Sequence, residues 1–264
     1  MTIIFFTQED PFYVKIFFDE FFKRYDHLNE IKAVVISQTM GKKSTLDLAK
    51  QMFGFYGSVD FVRMGLKYAC VKVMSKRNLN KNPAGKVPKT YSIKQTAAVY
   101  GIDVIDRSDL NSKAFLSMIS KFDADLFISV ASPVIFKKDL ITVPRVDCIN
   151  IHNAPLPNYR GMMPNFWQLY HGEREVGITV HRIASGIDTG DIILQHLVPV
   201  ERDETLDHLI RKTKKENARL IIQVIDDFRN GRVNCDKMEG KGSYFTFPTK
   251  EDVKEFKRRG KNIL

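Results

Sequence analysis

The stretch "CINIHNAPLPNYRG", residues 148–161, places two polar side chains in a strand-like apolar pattern. Alternate residues of a β-strand share a face, so Asn150 and His152 project to one side while the isoleucines beside them point into the sheet packing. The prolines that follow end the strand, because proline has no N–H to donate to a neighbouring strand. An amide beside an imidazole suits acyl transfer to an amine. The amide donates a hydrogen bond to the oxygen that becomes negative, and the imidazole moves the proton of the amine or, when charged, stabilises the oxyanion.

A third polar group comes from the later turn "SGIDTGD", in which Asp188 lies between two glycines. Its carboxylate is the best candidate to orient the imidazole of His152 or to help take the proton. Gly186 and Gly190 would allow the backbone of this turn to approach a ligand closely. No serine or cysteine shares a nucleophile motif with the histidine, so direct transfer without a covalent enzyme intermediate is favoured. Taken singly, each pattern is also typical of an ordinary core strand or hairpin turn.

The elements that would position these groups alternate along the first half of the chain. Short apolar runs, the first at residues 2–6 and the last at 125–130, read as strands, and the segments between them have helical patterns. This alternation predicts an α/β fold with a mostly parallel sheet and helices on both faces. Open sheets of this kind bind ligands at the carboxyl ends of their strands, where Asn150 and His152 are expected.

Two common phosphate-binding signatures are missing from the sequence. The first strand is followed by "TQEDPF" rather than G-x-G-x-x-G, so no dinucleotide cofactor is predicted. The segment "GKKS" at residues 41–44 ends like a P-loop but lacks the earlier glycine that the phosphate cradle needs.

The composition, 44% hydrophobic and 27% charged over 264 residues, is typical of a soluble globular protein with one main domain. No apolar run is long enough to span a membrane, and the N-terminus lacks the pattern of a secretory signal. We interpret Cys70, Cys148 and Cys235 as reduced, buried thiols of a cytoplasmic protein. The net charge of +10 indicates anionic partners or solvated helix faces, but no aromatic-and-basic motif points to nucleic acid.

Residues 44–76 are predicted to form an inserted pair of helices that is broken near Gly54 and Gly57. The second helix has an apolar stripe at helical spacing, with four cations on two sides of it. A membrane-lying helix is expected to cluster its cations, so packing against the main domain or a second subunit is favoured, and a homodimer is one possibility. The polar segment 77–91 is predicted to be a loop that orders over a ligand. The stripe consists of Val59, Val62, Leu66, Ala69 and Val73, and the cations are Arg63, Lys67, Lys72 and Lys76.

Residues 1–200 are predicted to form the main domain, and residues 201–264 a helical C-terminal extension. Two antiparallel strands joined by the Asp188 turn close the main domain. The extension is expected to contain a long helix from Thr205 to Arg229, followed by a short strand and a short capped helix.

Together, "INIHNAPLPNYRGMMP" and "GITVHRIASGIDTGDIILQ" closely resemble the formyltransferase family that uses 10-formyltetrahydrofolate. The shared motif is Asn-x-His, a Leu-Pro-x-Tyr-Arg-Gly loop and a later Asp-x-Gly turn, and the likeness covers about residues 95–200. The resemblance implies a Rossmann-like formyltransferase domain with Asn150, His152 and Asp188 as its catalytic trio. It further implies 10-formyltetrahydrofolate as the formyl donor and no metal.

By the same resemblance, the loop after the strand at 125–130 lines the pterin pocket of the donor. Its apolar side chains would hold the flat ring while backbone groups bond to the ring edge. The alternative for this segment is a plain core strand. The donor contacts that the resemblance implies are Ser132, Pro133, Val134 and Ile135, with Ser185 and Gly186 in the turn before Asp188.

The segment "NFWQLYHGEREVGITVHRI" looks most like enzymes that formylate amino sugars attached to nucleotides, for surface polysaccharides. The acceptor's diphosphate would suit Arg160, while Tyr159 or Trp167 could stack on a sugar or base. Each aromatic could equally fill the core beneath the loop.

Other members and relatives of the family remain alternatives. A methionyl-tRNA formyltransferase is expected to carry a basic, glycine-rich loop after the second strand and a C-terminal barrel, which this sequence lacks. A formyltetrahydrofolate hydrolase would use water as its acceptor. A non-catalytic folate-binding relative would not need to keep Asn150, His152 and Asp188 together.

Overall fold

A computed structural model of the chain describes residues 1–38, 45–76 and 88–264. The described residues form a seven-stranded sheet in the order β3-β2-β1-β4-β5-β7-β8. The first five strands in this order run parallel to one another, β7 pairs antiparallel with β5, and β8 pairs antiparallel with β7. This confirms the predicted mostly parallel α/β fold. The strands are β1 (Ile3–Thr7), β2 (Ile31–Ile36), β3 (Asp103–Asp106), β4 (Leu126–Val130), β5 (Asp147–His152), β7 (Glu175–Arg182) and β8 (Ile192–Pro199). The helices are α1 (Val14–Arg24), α2 (Thr45–Tyr56), α3 (Ser58–Met74), α4 (Ile93–Val99), α5 (Lys113–Ile119), α6 (Lys138–Ile141), α7 (Pro164–His171), α8 (Leu206–Arg229) and α9 (Lys250–Arg258).

The central strands β1, β2 and β4 are mostly apolar, as expected where helices cover both faces of the sheet. In β1, Ile3 and Phe5 belong to the larger hydrophobic cluster, which includes side chains of α1, α7 and α8. Ile4 and Phe6 point the other way, into a second cluster that contains Phe115 of α5. The alternation along one strand thus explains how both faces are buried.

Helix α8 begins after Thr205, whose side chain accepts a hydrogen bond from the backbone N–H of His208, and it runs as predicted to Arg229. Its apolar face belongs to the same core as β1 and α1. The division of the chain at residue 200 stays a prediction.

The C-terminal residues return to the loop that follows β5. Strand β9 (Tyr244–Phe245) pairs in parallel with the two-residue strand β6 (Arg160–Gly161). Helix α9 starts with a capping box between Thr249 and Asp252, and its Phe256 stacks on Phe166 of α7 with the ring centres 4.6 Å apart. The segment from 244 onward therefore buttresses the loop next to the predicted site.

The insertion forms two helices, as predicted, but its apolar stripe does not pack against the main domain. Val59 is 78% exposed and Leu66 is 66% exposed. The face of α3 that meets the main body instead includes the buried Met64. The expectation of packing against the body is therefore wrong, because the inward face lies on the other side of the helix.

Three further expectations can be compared with the structure. Cys148 is buried, as predicted, but Cys70 on α3 is exposed, so the prediction of three buried thiols is wrong. Most of the predicted loop, residues 77–87, lies outside the described residues. Within the described part of the chain, no helix is both long enough and apolar enough to span a membrane. A cytoplasmic location stays a prediction.

Candidate active site

The site lies at the carboxyl end of β5, where the parallel part of the sheet meets its antiparallel part. Asn150 is paired with Ser129 of β4 on one side and with His181 of β7 on the other. The register brings the Nδ2 atom of Asn150 to 3.1 Å from the Nε2 atom of His181. His152 follows on the same face of β5 and is 8% exposed. Strand pairing thus fixes three polar side chains at one edge of the sheet.

Asp188 reaches this edge from the turn between β7 and β8. Its backbone adopts the left-handed conformation with a φ of 51°. Its Oδ2 atom accepts a hydrogen bond of 3.0 Å from the Gly161 N–H and lies 3.7 Å from Nδ1 of His152. Its Oδ1 atom lies 3.6 Å from Nε2 of His181. The structure therefore brings the predicted Asn150, His152 and Asp188 together, and adds a second histidine.

Hydrogen bonds to backbone carbonyls fix the orientation of both imidazole rings. Nε2 of His152 lies 2.9 Å from the Tyr159 carbonyl oxygen, which can only accept, so Nε2 carries a proton and Nδ1 faces Asp188. Nδ1 of His181 likewise donates to the Arg182 carbonyl oxygen at 2.8 Å. The Nε2 atom of His181 is then left to accept a hydrogen bond from the Asn150 amide.

Electrostatics keeps Asp188 charged and favours neutral His152. Burial would raise the pKa of Asp188, but contact with His181, the charge of His152 and the Gly161 N–H together lower this pKa to about 2. Burial is also the main reason why the pKa of His152 is lowered; Asp188 opposes this shift, and the charge of Lys214 adds to it. The site thus combines a charged carboxylate with an imidazole that burial holds in its neutral, proton-accepting form.

The glycines of the Asp188 turn are required by the packing of the turn itself, and their predicted approach to a ligand stays a prediction. A Cβ atom on Gly190 would lie 1.9 Å from the Arg182 carbonyl oxygen, and one on Gly186 would lie 2.5 Å from Oγ1 of Thr189. These glycines therefore let the turn fold tightly against itself and β7, which holds Asp188 in position.

His181 is a residue of the site that sequence reasoning missed. The motif "GITVHRI" was recognised as a strand, but its histidine was not considered as part of the site. Knowledge that this strand pairs antiparallel with β5 would have revealed it, because only the register places His181 opposite Asn150.

Comparison with known proteins agrees with this geometry. The sequence model described as "Formyl transferase" matches residues 65–225 of the chain. The chain belongs to the formyl transferase family. A curated relative, the methionyl-tRNA formyltransferase of Agathobacter rectalis, is 34% identical over 147 residues, which cover 56% of this chain and 47% of the relative. The corresponding enzyme of Kosmotoga olearia is 30% identical over 206 residues, 75% of this chain and 66% of the relative. This formyl transferase thus spans about half to two thirds of the length of the curated relatives it matches.

Solved structures share the fold of this formyl transferase. WlaRD, a sugar 3N-formyl transferase crystallised with dTDP and 5-N-formyl-THF, has a TM-score of 0.55 and 20% identity, and the match covers 93% of this chain and 69% of WlaRD. Glycinamide ribonucleotide transformylase 1 from Symbiobacterium toebii has a TM-score of 0.57 and 18% identity, with 92% of each chain covered. The fold likeness therefore extends beyond the segment that the family model matches.

The residues predicted to contact the donor lie in two loops of this formyl transferase. Residues 132–135 follow β4, the strand next to β5, so they leave the sheet at the same edge as the site. Ile135 is 66% exposed, and its carbonyl oxygen is held by Nδ2 of Asn111 at 2.9 Å. Ser185 and Gly186 are exposed in the turn before Asp188. Their position is compatible with donor binding, and their role stays a prediction.

The two aromatic residues predicted to contact the acceptor are engaged inside the protein. Tyr159 is 9% exposed, and its hydroxyl group donates to Glu173 at 2.6 Å. Trp167 is 7% exposed, donates from Nε1 to the Thr246 carbonyl oxygen at 3.0 Å, and stacks on Phe245. This arrangement favours the alternative that they fill the core beneath the loop, rather than stack on a sugar or base.

Arg160 differs from these aromatics. Its Nη2 atom donates to the Lys241 carbonyl oxygen at 2.9 Å, but its buried Nε atom has no hydrogen-bond partner among the described residues. Arg160 precedes Gly161, whose N–H donates to Asp188. Arg160 therefore remains a candidate for contact with an anionic substrate.

A buried polar cluster on α7 and α8 was also missed from the sequence. Lys214 is 9% exposed and makes no hydrogen bond or ion pair with a described residue; burial lowers its pKa to about 8. Asn217 is fully buried, and neither polar atom of its side chain has a partner within the described ranges. Asn165 donates to Oγ1 of Thr213 at 2.9 Å, but its Oδ1 atom is also without a partner there. Buried polar groups normally form hydrogen bonds, so this cluster is compatible with bound water or a polar substrate group.

A metal centre has no support in the described ranges, where no group of three or more histidine, cysteine, aspartate or glutamate side chains could hold an ion. The site is accordingly built from an amide, two imidazoles and a carboxylate, all of which can bind or move protons.

Proposed function

We propose that this member of the family is an N-formyltransferase that moves the formyl group of 10-formyltetrahydrofolate to a substrate amine. The observation that carries the proposal is the convergence of Asn150, His152 and Asp188 at the carboxyl end of β5. An amide donor, an imidazole and a buried carboxylate supply what acyl transfer to nitrogen requires, which is oxyanion stabilisation and proton transfer.

In the proposed reaction, the amine nitrogen attacks the formyl carbon, and the carbonyl oxygen becomes negative. The Asn150 amide has a second N–H that His181 does not use, and this N–H donates to the oxygen as its charge develops. His152 takes the proton that the attacking nitrogen loses, and Asp188 stabilises the imidazolium that forms. The bond between the formyl carbon and the folate nitrogen then breaks, and this nitrogen receives a proton, so a formamide and tetrahydrofolate leave.

The residues present fit a folate donor. The loop at 132–135 offers partly buried apolar side chains, including Pro133 and Val134, at the edge where His152 lies. Asn153, next to His152, has a buried Oδ1 atom without a partner in the described part of the chain, and it could accept from a polar ring edge. The loop would hold the ring system, and the trio would act on the formyl group.

For the acceptor, we propose an amino sugar attached to a nucleotide, with its product entering a surface polysaccharide. Two observations support this choice. The segment at residues 165–183 resembles enzymes that formylate nucleotide-linked amino sugars, and the fold match to a sugar 3N-formyl transferase covers 93% of the chain. In addition, Arg160 precedes Gly161, whose N–H donates to Asp188, and a guanidinium group in this loop suits a diphosphate.

Methionyl-tRNA is the second candidate acceptor. It is favoured by the curated relatives, which are 30–34% identical and are all methionyl-tRNA formyltransferases among those compared above. The net charge of +10 would be compatible with a polyanionic substrate of this kind.

The test is to incubate the protein with 10-formyltetrahydrofolate and, separately, a panel of nucleotide-linked amino sugars, methionyl-tRNA, or no acceptor. The proposal expects one amino-sugar nucleotide to gain the mass of one formyl group in place of a hydrogen. Formylation of methionyl-tRNA alone would select the second candidate, and formate release without any acceptor would indicate a hydrolase. The Asn150→Ala variant is the matched control, because it should bind folate but form little product.

A further inference from the structure

The α2–α3 pair presents an unusual amount of apolar surface to solvent. Eight of the fourteen exposed large hydrophobic residues in the described part of the chain lie between residues 46 and 73. On α3 they include Val59, Val62, Leu66 and Val73, which with Ala69 form the α3 stripe. Folded proteins rarely expose an apolar patch of this kind unless it binds something.

The α3 stripe faces away from the rest of the molecule. The residues of α3 that are buried or half-buried include Phe61, Met64 and Val71, and their spacing places them on the side of the helix opposite the stripe. Phe61 also packs against Phe53 of α2, with the ring centres 5.6 Å apart. The stripe is therefore a straight ridge along a helix of 17 residues, or roughly 25 Å, with nothing of the described chain above it.

Cations flank the α3 stripe on both sides. At 3.6 residues per turn, Arg63 and Lys67 lie on one flank, and Lys72 and Lys76 lie on the other. All four are exposed, and none forms an ion pair with a described residue. Nζ of Lys67 lies 5.3 Å from the centre of the Phe12 ring and Nζ of Lys72 lies 6.0 Å from that of Tyr68, so Arg63 and Lys76 are the cations nearest the stripe. The one acid of α3, Asp60, is half-buried on the inward side.

This charge pattern decides between possible occupants of the ridge. A second copy of the chain would bring more of the same cations to the interface and no exposed acid of α3 to pair with them. An anionic lipid surface complements the pattern, since apolar side chains enter the acyl boundary while flanking lysine and arginine side chains extend to the headgroups. The sequence predicts that a membrane-lying helix clusters its cations, whereas those of α3 lie on two flanks. Because the side opposite the stripe packs against aromatic residues of α2 and the body, both flanks border the same exposed face.

We propose that α2 and α3 form a peripheral membrane-binding surface, with the α3 stripe lying in the plane of an anionic bilayer. Such binding is reversible and weakens with salt, because part of it is attraction between basic side chains and anionic headgroups. It would hold the enzyme at a membrane without a spanning helix.

Sedimentation of the full chain with vesicles tests the proposal without depending on catalysis. One set of vesicles contains phosphatidylglycerol and phosphatidylcholine in equal amounts, and the other contains phosphatidylcholine alone. The Val62→Asn/Leu66→Asn variant removes apolar side chains from the stripe, and the Val146→Asn/Leu197→Asn variant is a matched control, because those residues are 53% and 52% exposed elsewhere on the surface. Circular dichroism and formyl transfer without lipid should match the wild type in both variants.

The expected result is binding to the phosphatidylglycerol vesicles that is at least about tenfold stronger than to phosphatidylcholine, and that falls as salt rises. The stripe variant should lose most of this binding, and the control variant should keep it. Equal or negligible binding to the two vesicle types would overturn the proposal. So would a concentration-dependent dimer in lipid-free solution that the stripe variant converts to a monomer, since a second copy would then cover the ridge.

Discussion

The edge of the sheet at β5 and the surface of α3 invert the usual distribution of side chains in opposite ways. At the β5 edge, ionisable groups are buried, with His181 only 2% exposed and Asp188 held between two histidines. On α3, apolar groups are exposed, with Val59 at 78%. Both arrangements reduce the stability of the folded chain. At the β5 edge the cost is desolvation of polar groups, and on α3 it is hydration of apolar groups. This difference is what the two proposals account for, with a small polar substrate at the β5 edge and an anionic bilayer at α3.

The largest expected effect is on catalysis at the buried edge. Replacement of His152 by alanine should reduce turnover by at least about a hundredfold, because the variant loses the imidazole that takes the amine proton in the proposed reaction. Steady-state kinetics with a folate-binding measurement checks this. The matched control is His196→Ala on the neighbouring β8, which should keep near-normal turnover; a similar loss in both variants would contradict the assignment.

The Asp188→Asn variant should lower turnover at neutral pH by roughly ten- to a hundredfold and change its pH dependence. The carboxylate of Asp188 raises the pKa of His152 against the effect of burial, so its removal lowers that pKa further. The acidic limb of the kcat/KM profile should therefore move to lower pH. The Asp191→Asn variant, at the end of the same turn, should leave the limb in place. A limb that stays fixed or moves to higher pH in Asp188→Asn would show that the two residues are not coupled as described.

Replacement of Lys214 by methionine should raise the free energy of unfolding at pH 7 by about 1–3 kcal/mol, because the buried cation has no partner among the described residues. Its pKa is about 8 in the folded chain against 10.5 as the ordinary value, so the unfolded chain binds the proton more tightly. The gain should be fully present below pH 8 and disappear as pH rises towards 10.5. Urea unfolding at several pH values checks this, with the exposed Lys215→Met as the control. A clear loss of stability below pH 8 would contradict it.

The smallest expected effect belongs to the exposed ridge. Leu66→Ala should change the free energy of unfolding by less than about 0.5 kcal/mol, because the side chain is already in water. Leu209→Ala removes the same atoms from a fully buried position on α8 and should cost about 2–5 kcal/mol. Thermal or urea unfolding of the pair measures both. Equal costs would mean that Leu66 is covered in solution.

The sequence predicted the strands, the α9 cap and the Asn150–His152–Asp188 trio, because strand alternation and turn residues are local properties of the chain. It did not predict that His181 lies in the site, because this depends on the register of two strands far apart in sequence. It also favoured packing of the α3 stripe against the body or a second subunit without deciding between them, because periodicity shows which side chains share a face but not what that face meets. The buried state of Tyr159 and Trp167 was likewise undecided, since it depends on Phe245 near the C-terminus.

The most direct test of the central claim is single-turnover formation of the formamide by wild type and by Asn150→Ala, with saturating 10-formyltetrahydrofolate and the acceptor that the panel identifies. If Asn150 stabilises the oxygen of the formyl group as an amine attacks it, the variant should form product at least about a hundredfold more slowly while its folate dissociation constant stays within roughly threefold of the wild type. A near wild-type rate with the same folate affinity would contradict the account.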